Sequence, residues 1–249
     1  MEDRWRSVSD QREIPPNPSN SLREGDIGGQ VIEAIRNLGI PDPDLPKKIF
    51  DALQGPEHAK DETATSNAAR NLFFELRVLT LCVKAGLKAE ARLHPDVRVW
   101  VDGYPVHVEC KRIFAGSNIK NLVTSARNQL RKQITEDPAV IGVIALDLSR
   151  LVASTRPYID LTSSHTWDDA RKELNQLIRE RHEGEIVKAL RDKSIDGIKA
   201  LIYFYNVAVF NHPRASFGTG HSVEFVPLNQ ADINDPVLRE FHLALSPVI

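Results

Sequence analysis

Asp96, Glu109 and Lys111 are the residues of this chain whose types and spacing suit chemistry on a phosphate. Asp102-Gly103 is a strong two-residue hairpin signal, flanked by alternating Val97, Val99 and Val101 on one side and Tyr104, Val106, Val108 and Cys110 on the other. With those two residues as the turn, Val101 pairs with Tyr104, Val97 faces Val108, Arg98 faces His107 and Asp96 faces Glu109. Lys111 lies two residues beyond Glu109 and points the same way. One face is then apolar, and the other carries two carboxylates and an ammonium at one end. Opposed like charges destabilise a strand pair. A divalent cation removes that penalty, and Mg²⁺ favours one or two carboxylates completed by waters and phosphate oxygens. Lys111 is placed to stabilise developing negative charge or to orient an attacking water.

The bland alternative makes Asp96 a turn cap after His94-Pro95, with Glu109 and Lys111 a solvated surface pair. Three features weigh against it. Val106-His107-Val108 leads Glu109 into a sheet rather than a loop. Neighbouring apolar elements predict that this sheet is covered, so that its polar end forms a cleft. Glu109-Cys110-Lys111 is also the only acid-x-Lys tripeptide in the chain.

The elements that must hold these residues follow from periodicity. Residues 1–26, with Pro15, Pro16 and Pro18, read as an extended arm, and Val31, Ile32, Ile35 and Leu38 as a helix stopped by Gly39 and Pro41. A short helix spans Lys47 to Leu53. Asn67 to Ala85 is a dense apolar helix with Ser66 as N-cap and Gly86 at its C-terminal end. A strand over 87–93, the hairpin and a helix over 119–135 come next. The continuous apolar run Ala139 to Leu146 reads as a strand buried on both faces. The remainder predicts one long charged helix over 168–190, an apolar strand over 198–210 and a short strand over 221–226. Gly218-Thr219-Gly220 reads as loop, and Trp100 as packed under a flanking segment.

Pro95-Asp96, twelve intervening residues and then Glu109-Cys110-Lys111 resembles the PD-(D/E)xK nuclease superfamily, over about residues 67–147. The resemblance implies an α/β restriction-endonuclease-like core of order α-β-β-β-α-β, a central mixed sheet flanked by helices. A helical segment (27–66) would precede it, and an α/β extension (148–249) would pack on it. It implies that Asp96 and Glu109 bind Mg²⁺ or Mn²⁺, that the Cys110 backbone carbonyl adds a ligand, and that Lys111 acts on the attacking water or the phosphate. It also implies an acid on the preceding helix, for which Glu75 is the candidate. Glu75 is the only acid between Asn67 and Ala85, and a surface pairing with Arg70 or Arg77 is the competing role. A polar residue on the following helix is implied as well, and Gln129 fits that position. The chemistry would be metal-assisted hydrolysis of phosphodiester bonds.

Global charge does not point to nucleic acid, since 32 basic residues face 34 acidic ones for a net charge of −2. Local clustering does. Lys111, Arg112, Lys120, Arg127, Arg131 and Lys132 occur between 111 and 135 with no Asp or Glu among them. Arg112, Lys120, Arg127 and Arg131 are the candidate phosphate contacts, with Lys120, Arg127 and Arg131 on one broad helix face. DNA is the expected partner, and a homodimer would suit two-strand cutting. Cys82 and Cys110, the only cysteines, exclude a disulfide scaffold and a Cys-rich zinc site. The charged start MEDRWRSVSD and the lack of any long apolar run predict a cytoplasmic chain with no membrane span. His107 reads as a cross-strand polar neighbour of Arg98. The rival function is a non-catalytic nucleic-acid-binding or regulatory protein of the same fold.

Overall fold

A computed structural model of the chain describes residues 45–53, 68–92, 94–191 and 197–246. The sequence-predicted N-terminal arm, the helix over 31–38 and the Ser66 cap lie outside those residues. The described elements are, in chain order, α1 (Leu45–Leu53), α2 (Ala68–Lys84), β1 (Lys88–Ala91), β2 (Val97–Val101), β3 (Tyr104–Arg112), α3 (Ile119–Glu136), β4 (Ile141–Asp147), α4 (Ser149–Thr155), β5 (Tyr158–Leu161), α5 (Trp167–Ile178), α6 (Gly184–Arg191), β6 (Ile198–Asn211), β7 (Ser216–Pro227) and α7 (Pro236–Leu245).

Local sequence sets the first half. α2 ends where the Leu87 N–H donates to the Cys82 carbonyl at 3.0 Å and the Gly86 N–H to the Val83 carbonyl at 2.9 Å, the paired bonds of a Schellman end. The β2–β3 turn holds Asp102 at φ +50° and Gly103 at φ +83°. That left-handed pair defines a type I′ turn, whose twist matches the strands it joins. The register is the one turn chemistry predicts, with Val97 opposite Val108, Arg98 opposite His107 and Val101 opposite Tyr104.

Seven strands form one mixed sheet. β1, β2 and β3 make an antiparallel meander, β3 pairs parallel with β4, and β4 pairs parallel with β6. β7 runs antiparallel along one edge of β6 from Ala200 to Asn211, while β4 and then β5 share the other edge. The C-terminal third therefore continues the central sheet itself. Every residue of β4 is buried, as its apolar run predicts.

Helices cover both faces. Val97, Val99, Val106, Val108 and Cys110 pack with Phe74, Leu76 and Leu79 of α2, Leu45 and Ala52 of α1 and Phe241 of α7. On the opposite face, Ile144, Leu146, Leu201 and Tyr203 pack with Val123, Ala126 and Leu130 of α3, Leu174 of α5 and Ile186 of α6. Each fully buried Val or Leu contributes about 1.5–3 kcal/mol over leaving it exposed. Both layers are thus well able to hold a polar corner between them.

The second half departs from the periodicity reading. The single helix predicted over 168–190 is broken by a π-helical stretch, Arg179–Glu183, between α5 and α6. α4 and β5 are too short to stand out in sequence, whereas α7 carries a helical apolar spacing (Val237, Leu238, Phe241, Leu245) behind an Asp235 N-cap and Pro236 that the periodicity reading does not pick up. Gly218-Thr219-Gly220 is not a loop but lies in β7. Gly220 is required there because a Cβ would sit 2.4 Å from the Trp167 ring. Among the described residues no helix is long and apolar enough to cross a membrane.

Candidate active site

The polar end of the hairpin is assembled from four elements. Asp96 precedes β2, Glu109 and Lys111 sit on β3, Glu75 comes from α2, and a lysine that sequence reasoning did not single out, Lys48, comes from α1. The alternation of β3 turns Val106, Val108 and Cys110 toward the α2 layer, which leaves His107, Glu109 and Lys111 on the α3 side.

Asp96 is not simply stacked against Glu109. Its Oδ2 accepts the backbone N–H of Cys110 at 2.8 Å, taking the role a β2 carbonyl would play if the strand pairing continued. The backbone N–H and C=O of one strand residue face the same edge. The Cys110 carbonyl therefore faces the same edge as its N–H, toward Asp96. The two carboxylates converge on Lys111, whose Nζ lies 3.5 Å from Asp96 Oδ2 and 3.2 Å from Glu109 Oε2. The Lys111 and Asp96 side chains are 15% and 10% exposed and Glu109 is 0% exposed, so the corner meets solvent on its Asp96–Lys111 side.

Burial and like charge set the electrostatics. Desolvation, followed by the Asp96 charge, pushes the Glu109 carboxyl up to about 7, with Lys111 opposing. Glu75 is raised by the same two causes and lowered by Lys48 and Lys111. Burial works against the charge of Lys111, but Asp96 and Glu109 outweigh it and hold its pKa up. Burial, with Asp96 next, pushes the Cys110 thiol well up, which leaves it an inert core group.

Glu75 belongs to this corner. Its competing role as a surface carboxylate paired with Arg70 or Arg77 is not the one seen, since its Oε2 accepts from Lys48 Nζ at 2.6 Å in largely buried surroundings. Gln129 requires a correction. It contacts neither carboxylate, and its Oε1 is buried without a partner among the described residues. Gln133, one helical turn further on, is the residue that reaches the site, donating from Nε2 to Glu109 Oε1 at 3.0 Å. The two glutamines share a helix face at i and i+4. That spacing was the available signal, but which turn lies over Glu109 depends on how α3 is set across β3.

Gln133 is itself oriented. Arg98 Nε donates to His107 Nε2 at 3.1 Å, so Nδ1 carries the imidazole proton and donates to Gln133 Oε1 at 2.7 Å. The amide group of Gln133 is thereby turned toward Glu109. Burial, opposed by the Gln133 bond, lowers the His107 pKa and keeps the ring neutral. Glu90 extends the chain outward to Arg98 at 3.7 Å.

Two of the four predicted phosphate contacts are corrected by their surroundings. Arg112 is buried, pairs through Nε with Asp147 Oδ2 at 3.3 Å, and sits opposite Asp147 in the β3–β4 register. Arg127 is 3% exposed and donates from a terminal guanidinium nitrogen to the Ala189 carbonyl at 2.6 Å, tying α3 to α6. Its spacing showed this in part, because 127 is four residues after Val123 and three before Leu130, on the apolar stripe. Lys120 and Arg131 are exposed on α3, as is Lys132. Trp100 is half-buried and flanked by two cations, with Lys88 Nζ 4.4 Å and the Arg98 guanidinium 5.9 Å from its ring.

Compared with protein-family models, curated proteins and solved structures, the chain matches none. The functional argument therefore rests on the corner itself. Among the described residues no three His, Cys, Asp or Glu side chains are gathered closely enough to hold a metal by themselves. A cation there would be held by Asp96, Glu109 and the Cys110 carbonyl, completed by water and substrate oxygens. That is an all-oxygen set suited to Mg²⁺ or Mn²⁺.

Proposed function

We propose that the protein is a divalent-metal-dependent nuclease that hydrolyses phosphodiester bonds, with DNA as the substrate, on a restriction-endonuclease-like core. The observation that carries this reading is the convergence of the Asp96 and Glu109 carboxylates on the Lys111 ammonium at a partly open end of a covered sheet. The element order supports it as well, with helix α2, the β1–β3 meander, helix α3 and the parallel strand β4 following the α-β-β-β-α-β core that the motif implies.

The donor set fits a hard cation, and the buried excess of negative charge calls for one. Desolvation and Asp96 together make Glu109 retain a proton to about pH 7, a site a dication can take over. A bound Mg²⁺ or Mn²⁺ supplies Lewis-acid polarisation of a phosphoryl oxygen and lowers the pKa of a bound water. The protein residues do the rest. Asp96 is held by the Cys110 N–H and Glu109 by Gln133, which orients both carboxylates. Lys111, more exposed than Glu109, presents its ammonium to the scissile phosphate and adds positive charge where the transition state gains negative charge. The exposed Lys120 and Arg131 of α3 lie ready for flanking phosphates.

The test is cleavage of plasmid and oligonucleotide DNA with Mg²⁺ or Mn²⁺ by wild type and Lys111→Ala. The expected result is metal-dependent cleavage by wild type that the variant loses. Equal activity in the two proteins rejects the role of Lys111. Salt-dependent DNA binding without cleavage at any metal concentration selects the non-catalytic reading instead.

A further inference from the structure

Lys48 is an unusual residue to find inside this corner. An ammonium is strongly hydrated, and burying one is costly unless fixed oxygens replace its water. Lys48 has two described oxygen partners, Glu75 Oε2 at 2.6 Å and the Asp96 main-chain carbonyl at 3.2 Å. Its side chain is 6% exposed and that of Glu75 is 12% exposed. Leu45 and Ala52, three residues before and four after it, are buried in the core that α2 shares, so one face of α1 delivers both the apolar anchors and the charge. Asp96 is thereby bracketed, with Lys111 against its carboxylate and Lys48 against its carbonyl.

Resting on the nuclease reading above, we infer that the Lys48 ammonium stands in for a second cation, engaging Glu75 so that the corner binds one divalent ion and not two. The ligand geometry supports this directly. With Lys48 Nζ at 2.6 Å, Glu75 Oε2 is already committed to a cation. Charge balance points the same way. With all three carboxylates (Glu75, Asp96, Glu109) ionised, as metal binding requires of its ligands, the two ammoniums (Lys48, Lys111) leave one net negative charge. One dication and one phosphodiester anion bring that to zero. Two dications would leave a surplus of two positive charges in a site with little water to screen them.

The test is the stoichiometry of Mn²⁺ binding to the full chain, read by titration calorimetry and by the electron paramagnetic resonance of free Mn²⁺. Wild type is expected to take one Mn²⁺ per chain, Lys48→Met two, and Lys48→Met combined with Glu75→Gln one again. Two ions on wild type, or one on a folded Lys48→Met, overturns the inference while leaving the nuclease reading in place. No Mn²⁺ on wild type removes that reading and this inference with it. Should Lys48→Met fail to fold by circular dichroism, Glu75→Gln decides alongside wild type. Retention of one ion is expected, and loss of the ion would make Glu75 a ligand and overturn the inference.

Discussion

The Asp96 carboxylate accepts the backbone N–H of Cys110 at 2.8 Å, so the residue proposed to hold a metal is also the one that closes the open end of the β2–β3 ladder. The two roles separate by substitution. Asp96→Asn keeps an oxygen that can accept from Cys110 but loses the charge. It is expected to fold with little change in thermal stability while cleavage falls by roughly two orders of magnitude or more. Asp96→Ala leaves a buried N–H unpaired and is expected to cost a further 1–3 kcal/mol or so of stability. Thermal melts paired with a cleavage assay check both, and an active Asp96→Asn would contradict the metal role.

Glu109 makes stability depend on pH in a particular direction. Its carboxyl ordinarily titrates at 4.5 and in the fold holds its proton to about 7, chiefly through burial and then through Asp96. Between those values the native state binds more protons than the unfolded chain, so stability falls as pH rises through that window. Glu109→Gln removes the term. It is expected to raise metal-free stability at pH 8 by about 1–3 kcal/mol and to leave pH 4 stability nearly unchanged. Mn²⁺ should stabilise wild type at pH 8 and do nothing for the variant. Denaturant melts at the two pH values, with and without Mn²⁺, read this directly.

The hydrogen-bond chain from Arg98 through His107 to Gln133 ends on Glu109. Losing such an outer contact to a metal ligand weakens the metal by about 10–100-fold. Gln133→Ala is expected to show that loss in a Mn²⁺ titration, and Gln129→Ala, which breaks no described hydrogen bond, to stay within about threefold of wild type. Equal effects from the two would deny Gln133 its role as the positioning residue.

The basic residues of the motif region should divide by burial. Arg112→Ala leaves the buried Asp147 carboxylate with its Ser149 hydrogen bonds but without its described charge partner, and is expected to cost on the order of 2–4 kcal/mol of stability. Lys120→Ala with Arg131→Ala should leave stability unchanged and lower the slope of log affinity against log salt by about two for duplex DNA. Fluorescence anisotropy across a salt series and a thermal melt of each protein distinguish the classes. A normal slope in the double variant would move the DNA path away from α3.

What the amino-acid sequence determined by itself is the hairpin and its register. Asp102-Gly103 demands a left-handed pair, and a side-chain period of two then forces Arg98 against His107 and sends Glu109 and Lys111 to one face. α2 with its Gly86 end, α3 and the buried strand β4 were legible for the same reason, because their signals lie within a few residues of one another. Tertiary structure alone decided which distant groups meet around the hairpin. Lys48 reaches Glu75 across 27 positions, Gln133 reaches Glu109 across 24, and Arg112 finds Asp147 only through the parallel β3–β4 register. β7 likewise answers to its pairing with β6 rather than to its own pattern. The physical reason is range. Turn chemistry and periodicity are set by neighbours along the chain, whereas the partners of a buried charge depend on how two packed layers bring remote segments together.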